Sequence, residues 1–139
     1  MPGSKSDYLE KAVLDFVFNG TALVLPVNLY IALSTGAYSD AATGAAMTEV
    51  VGGGYTRATM PRNLTTWPAA TGNPAQLKNG VPAPFPTATA NWGFIVAFYV
   101  VDASTGGNVL YGSDLIISKQ IEIGDTATFG ANTITITED

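Results

Sequence analysis

The first regular signal along the chain is a run of apolar residues at helical spacing. Tyr8, Leu9, Ala12, Val13, Phe16 and Val17 fall on one face of a 3.6-residue repeat. Asp7 followed by Glu10 offers a capping box with aspartate in the capping place, Ser6 offers a competing cap, and Asn19-Gly20 supplies the stop. The pattern predicts a short amphipathic helix over about 7–18, some three turns long. A helix of this kind covers one end of a sheet, the expected role here, or presents itself to a partner.

From Val27 the period changes to two. "VNLYIALST" sets Val27, Leu29, Ile31 and Leu33 on one face and Asn28, Tyr30, Ala32 and Ser34 on the other. The next segment, "GAYSDAATGAAMTE", is small and turn-rich and reads as a surface loop. In "NWGFIVAFYVVDA", Phe94, Val96, Phe98 and Val100 alternate with Ile95, Ala97, Tyr99 and Val101, so both faces are apolar. A strand of that composition is central to the fold or to an interface. "DASTGGN" then turns the chain, "VLYGSDL" returns as a hairpin partner, and "IISKQIEI", "TATF" and "TITITED" follow between glycine-bearing turns. Ile134 and Ile136 face one way in the last of these. Short strands at close intervals predict a mainly β, antiparallel β-sandwich of jelly-roll type with the N-terminal helix, a single domain over residues 1–139.

Two stretches interrupt the periodicity. Pro61 to Pro86 holds most of the prolines and predicts a long excursion with one short strand and polyproline-like pieces, anchored by Trp67. "EVVGGGYTRATMPRN" places Gly52, Gly53 and Gly54 directly before a run of strand formers. A phosphate loop would need a following Lys-Ser/Thr and a helix, and neither is present. The three glycines therefore read as a structural turn that takes backbone conformations closed to other residues, so that "YTRAT" can enter a sheet close to another piece of backbone.

Composition narrows the function classes. Cysteine and histidine are absent, which removes thiolate nucleophiles, Cys-based zinc sites, disulfides, and the usual general base with its Ser-His-Asp and Cys-His arrangements. With a net charge of −5 and six scattered Lys and Arg, the chain would be repelled by a nucleic-acid backbone. The start "MPGSKSDYLE" lacks an apolar h-region, so no secretory signal is expected. The longest apolar run, Phe94 to Val101, is far short of the roughly 20 residues of a membrane helix. Charged residues make up 12% of the chain against about 25% in typical soluble domains, which points to surface covered by permanent assembly.

Candidate chemistry is sparse. Asp102, Asp114, Glu122 and Asp125 sit at expected strand ends and turns, and no spacing selects a glycosidase pair. "DASTGGN" could offer oxygen ligands to calcium but lacks the EF-hand spacing. Trp67, Trp92 and several tyrosines could form a sugar-stacking platform, although core or interface packing is the expected use. Arg57 is read two ways, as a buried or interfacial ion pair or as a solvated strand-edge charge. Tyr55, Arg57, Trp67, Trp92, Phe94 and Phe98 are the interface candidates. No catalytic residue, metal site or cofactor is expected.

The segments "SDYLEKAVLDFVFNGTA", "VNLYIALST", "TEVVGGGYTR", "FPTATANWG", "DASTGGNVLYG" and "GDTATFGANTITIT", taken in order, resemble a family of small tailed-bacteriophage virion proteins, tail fibre or capsid decoration proteins. Leu64 to Pro84 departs from the pattern. The resemblance implies a non-enzymatic virion component, made in the host cytoplasm, whose partners are its own copies and the major capsid protein or tail proteins. The expectation is a capsid decoration or cement subunit that assembles as a homo-oligomer, a trimer. The alternatives are a tail fibre or tail-tip subunit and, in another class, a carbohydrate-binding module for host recognition.

Overall fold

The most apolar segment of the chain lies at the middle of its largest sheet. The computed structural model describes residues 4–138; Met1–Gly3, part of the start read above for a secretory signal, and Asp139 lie outside the described residues. The elements run β1 (Ser4–Lys5), α1 (Asp7–Asn19), β2 (Asn28–Ser34), β3 (Ala58–Pro61), β4 (Ala75–Lys78), β5 (Ala83–Thr87), β6 (Gly93–Val101), β7 (Val109–Ile121), β8 (Thr126–Phe129) and β9 (Thr135–Glu138). A five-stranded sheet has the order β1-β7-β6-β2-β3, and β4-β9 and β5-β8 form two separate ribbons. Every strand pair is antiparallel. The fold is mainly β and sandwich-like, with a divided second layer.

Both ribbons pack on one face of the large sheet. Ile31, Leu33, Phe98 and Val100 from the sheet share a core with Phe85, Ile134 and Ile136 from the ribbons. Phe129 bridges the layers, with ring centroids 5.6 Å from Phe98 and 6.1 Å from Phe85. Each such side chain contributes roughly 1.5–3 kcal/mol by leaving water. The opposite face of the sheet carries Ala32, Tyr99, Val101 and Val109, covered by Tyr38, Ala42 and Met47. The segment read as a surface loop therefore forms part of a second core. Its small residues let it lie flat, and Tyr38 packs against Tyr99 with centroids 5.1 Å apart and the rings tilted by 44°.

The doubly apolar strand is thereby satisfied within the chain, between two cores. Its register with β7 breaks after Ile95, and Val96 faces an unpaired stretch, residues 115–118, before pairing resumes at Ala97↔Asp114. Four residues thus lie opposite one, a bulge larger than the two-against-one kind, and Ile95 and Phe98 share one core. "VLYGSDL" and "IISKQI" form one long strand rather than two. The proline-rich excursion holds β4 and the start of β5 where one short strand was expected.

Buried polar groups close the joins between layers. Asn79 is fully buried; its amide donates to the carbonyls of Val81 and Gly130 at 2.9 Å each and accepts from the Ile134 amide at 2.8 Å. Lys5 pairs with Glu138, which also accepts from Tyr111 at 2.8 Å, joining β1, β7 and β9. Partial burial pushes the Glu138 carboxyl up, but the hydrogen bonds from Lys5 and Tyr111 outweigh it and hold the group below its ordinary range. Tyr111 itself is pushed up by burial and by its bond to Glu138.

Candidate assembly surfaces

The three glycines all take left-handed backbone, with φ of 76°, 61° and 76° at Gly52, Gly53 and Gly54. A Cβ on Gly53 would lie 2.9 Å from the Trp92 ring. The Gly53 carbonyl accepts from the Trp92 indole at 2.8 Å and from the Thr89 amide at 2.9 Å. The turn thus presses against the start of β6 and delivers Tyr55, Thr56 and Arg57 to β3. Only a residue without a side chain allows both the handedness and the approach.

Arg57 is 6% exposed and uses all five of its N–H donors. It forks onto the Glu49 carboxylate at 2.8 Å twice and donates to the carbonyls of Ala103, Gly106 and Gly44 at 2.7, 2.9 and 3.1 Å. The Tyr55 hydroxyl donates to Glu49 at 2.6 Å and accepts from the Leu33 amide at 3.0 Å. Burial, and then the bond to Glu49, pushes the Tyr55 phenol up. Of the two readings of Arg57, the buried ion pair is the one present, and it lies inside the chain. It clamps the 36–50 loop and the 102–108 turn to β3. Two of the carbonyls that "DASTGGN" could have turned toward calcium, those of Ala103 and Gly106, are held by the guanidinium.

The other candidates separate by exposure. Trp92 and Phe98 are enclosed in the main core, and Trp92 meets Tyr55 edge-on at 5.3 Å. Trp67 packs partly buried on the same core, its indole nitrogen without a hydrogen-bond partner among the described residues. Phe94 is more than half exposed at the β6 end. Asp102 accepts from Asn108, Asp114 from the Tyr38 amide at 2.7 Å, and Asp125 from the Glu122 amide at 2.9 Å, so these carboxylates brace turns. Among the described residues no three His, Cys, Asp or Glu side chains gather as metal ligands.

Two surfaces stand out that the strand pattern did not reveal. The helix is capped by Ser6, whose hydroxyl accepts from the Leu9 amide at 3.1 Å and donates to the Val109 carbonyl. Among the described residues its backbone ties to the rest of the fold lie at that end: the Ser6 amide donates to Leu110 and the Asp7 amide to Asp40, both at 2.9 Å, and Leu9 is its one fully enclosed side chain. Leu14, Phe16, Val17 and Phe18 are all more than half exposed, Phe18 at 81%. Val24 and Val27, on the way to β2, are 82% and 80% exposed. The helix covers little of the sheet and projects its second half from it.

The second surface is an open cleft of about 650 Å³ between the β7 bulge and the β8 and β9 strands. Phe85, Phe98, Phe129 and Ile134 line its floor, and Ile116 and Ile117, 80% and 74% exposed, stand on its rim. The sequence signal for it was the apolar pair in "DLIISKQ", which no alternation explains.

A family model described as "Podophage GP4 fiber I protein gp80" matches residues 4–137 of the chain. No curated protein matches it.

Proposed function

The chain belongs to the podophage GP4 fiber I protein gp80 family, a family of phage virion structural proteins, and from that premise we propose that it is a non-enzymatic fibre subunit of a podophage tail. The observation that carries the reading is the family match across nearly the whole of the described chain. It favours a fibre over the capsid decoration role expected from sequence, since the family's description names a fibre. The geometry supports a structural part. The carboxylates brace turns, the arginine most suggestive of a site clamps loops, and the large apolar exposures lie on a projecting helix and a bulge, surfaces that suit contact rather than chemistry. A sugar-stacking role finds little support in Trp92, whose ring is buried with its nitrogen bonded to Gly53.

Copy number per particle tests the proposal. Quantitative densitometry of purified virions should give few copies, matched to the tail's rotational symmetry. A number matched to the capsid lattice would restore the decoration reading.

A further inference from the structure

Two asparagines of the chain, Asn19 and Asn79, are followed by glycine, and the fold gives them opposite surroundings. A glycine after asparagine lacks the side chain that would hinder its backbone nitrogen from reaching the asparagine Cγ, so these are the two places where the side-chain amide is most open to attack by its own chain. Asn79 is locked. It is fully buried, its amide makes three hydrogen bonds, and the Gly80 amide donates to the Thr66 carbonyl at 2.7 Å. A nitrogen held in that way reaches Cγ only when the join between layers comes apart.

Asn19 is the reverse case. It is the last residue of α1, and both it and Gly20 are exposed. The Gly20 nitrogen is occupied only by its donation to the Asp15 carbonyl, a closing bond at the end of a helix whose last turn stands in water. Terminal turns of this kind open at little cost. The side-chain carbonyl is also prepared for attack: Asn19 Oδ1 accepts from the Thr21 amide at 3.0 Å and from the Thr21 hydroxyl. Those donors lie on the oxygen that gains negative charge when a nucleophile adds to Cγ, and their contact spans three residues, apart from the helical bond that must open.

We propose that Asn19 is a site of self-modification, deamidating in the folded protein through a cyclic imide formed with Gly20. As the last turn opens, water or hydroxide takes the Gly20 amide proton and the nitrogen bonds to Asn19 Cγ. The Cγ–Nδ2 bond breaks, and the amide nitrogen gains a proton and leaves as ammonia. Water then opens the ring at either carbonyl, which gives aspartate or isoaspartate at position 19. The inference is independent of the fibre reading.

The product differs where the helix is least supported. Asn19 Nδ2 donates to Asp15 Oδ1 at 3.1 Å, and after the reaction a second carboxylate faces Asp15 in its place. Negative charge at a helix C-terminus is unfavourable, and the last turn of α1 has no basic residue to offset it. The chain becomes one unit more negative than its −5, next to the exposed Phe18. Isoaspartate also adds a methylene to the backbone just where Gly20, at φ 76°, turns the chain toward β2.

Incubation of the purified protein at mildly alkaline pH, with circular dichroism showing the fold intact, is the test. Peptide mapping by mass spectrometry follows Asn19 and Asn79 separately, and isoaspartate is read by enzymatic methyl labelling. Conversion at Asn19, with Asn79 at least about tenfold slower, is the expected result. In urea, where the surroundings of both are lost, the two sites should convert at comparable rates. Asn19→Gln, whose longer side chain cannot close the same ring, should lose the acidic species on ion exchange without a change in the dichroism spectrum. Asn19 that stays intact in the folded protein, Asn79 that keeps pace with it there, or an acidic species formed as fast in Asn19→Gln would each overturn the proposal.

Discussion

At the scale of single residues, the glycine turn separates two costs that usually arrive together. A side chain at Gly52 would meet nothing within 4 Å but must still adopt positive φ; at Gly53 it meets the Trp92 ring as well. Gly52→Ala should therefore cost about 1–2 kcal/mol and Gly53→Val clearly more, seen as a larger fall in Tm. Equal losses would mean that the Trp92 contact is not real. Arg57 offers the complementary case. Arg57→Lys keeps the charge but replaces five donors by three, leaves at least two buried acceptors unpaired, and should cost about 2–5 kcal/mol by urea denaturation. The triple glycine was legible because only glycine takes those conformations. The partners of Arg57 were not, since Gly44, Ala103 and Gly106 are brought to it by loops with no periodic signal, and buried Asn79 looks in sequence like an ordinary turn residue.

Tyrosine ionisation gives a pH dependence with a definite sign. Burial and a carboxylate neighbour raise Tyr55 and Tyr111 above the ordinary value of 10.0. A group whose folded pKa lies above its unfolded one contributes stability that is complete below the unfolded value and is lost as pH rises toward the folded one. Melting temperature should thus hold steady up to about pH 10 and fall beyond it. In Tyr55→Phe the alkaline fall should be shallower, at the expense of lower stability at neutral pH from the lost bonds to Glu49 and Leu33. A scan by differential calorimetry checks both.

At the scale of elements, Ser6 matters more than its size suggests. Its hydroxyl caps α1 and bonds β7 at once, and it is fully buried. Ser6→Ala should cost about 1–2 kcal/mol and speed amide hydrogen exchange along α1, while the β6 amides stay protected. Slow exchange across α1 in that variant would show that the helix is held by something beyond its first turn. The helix bounds, β2, β6 and the Ile134/Ile136 face were readable because period and caps are local properties. Coverage was not. The same apolar alternation serves a strand between two cores or one at an interface, and only the fold reveals that β6 is the former while α1, read as a cover for the sheet, is left half uncovered. The bulge opposite Val96 was equally hidden, because it depends on how β7 pairs rather than on its own composition.

At the scale of the whole molecule, low charge turns out to have two sources. Much of it fills the two cores on either side of the large sheet. The remainder is concentrated on α1, on the connection to β2, and around the β7 bulge. An acidic body with apolar contact surfaces at separate places suits a part added to a larger assembly, and family membership makes that assembly a phage virion. The central claim is that the protein belongs to the tail's fibres. Electron microscopy of intact virions labelled with gold-conjugated antibody against this chain tests it most directly. Gold confined to the tail is the predicted result; gold distributed over the capsid shell would contradict it.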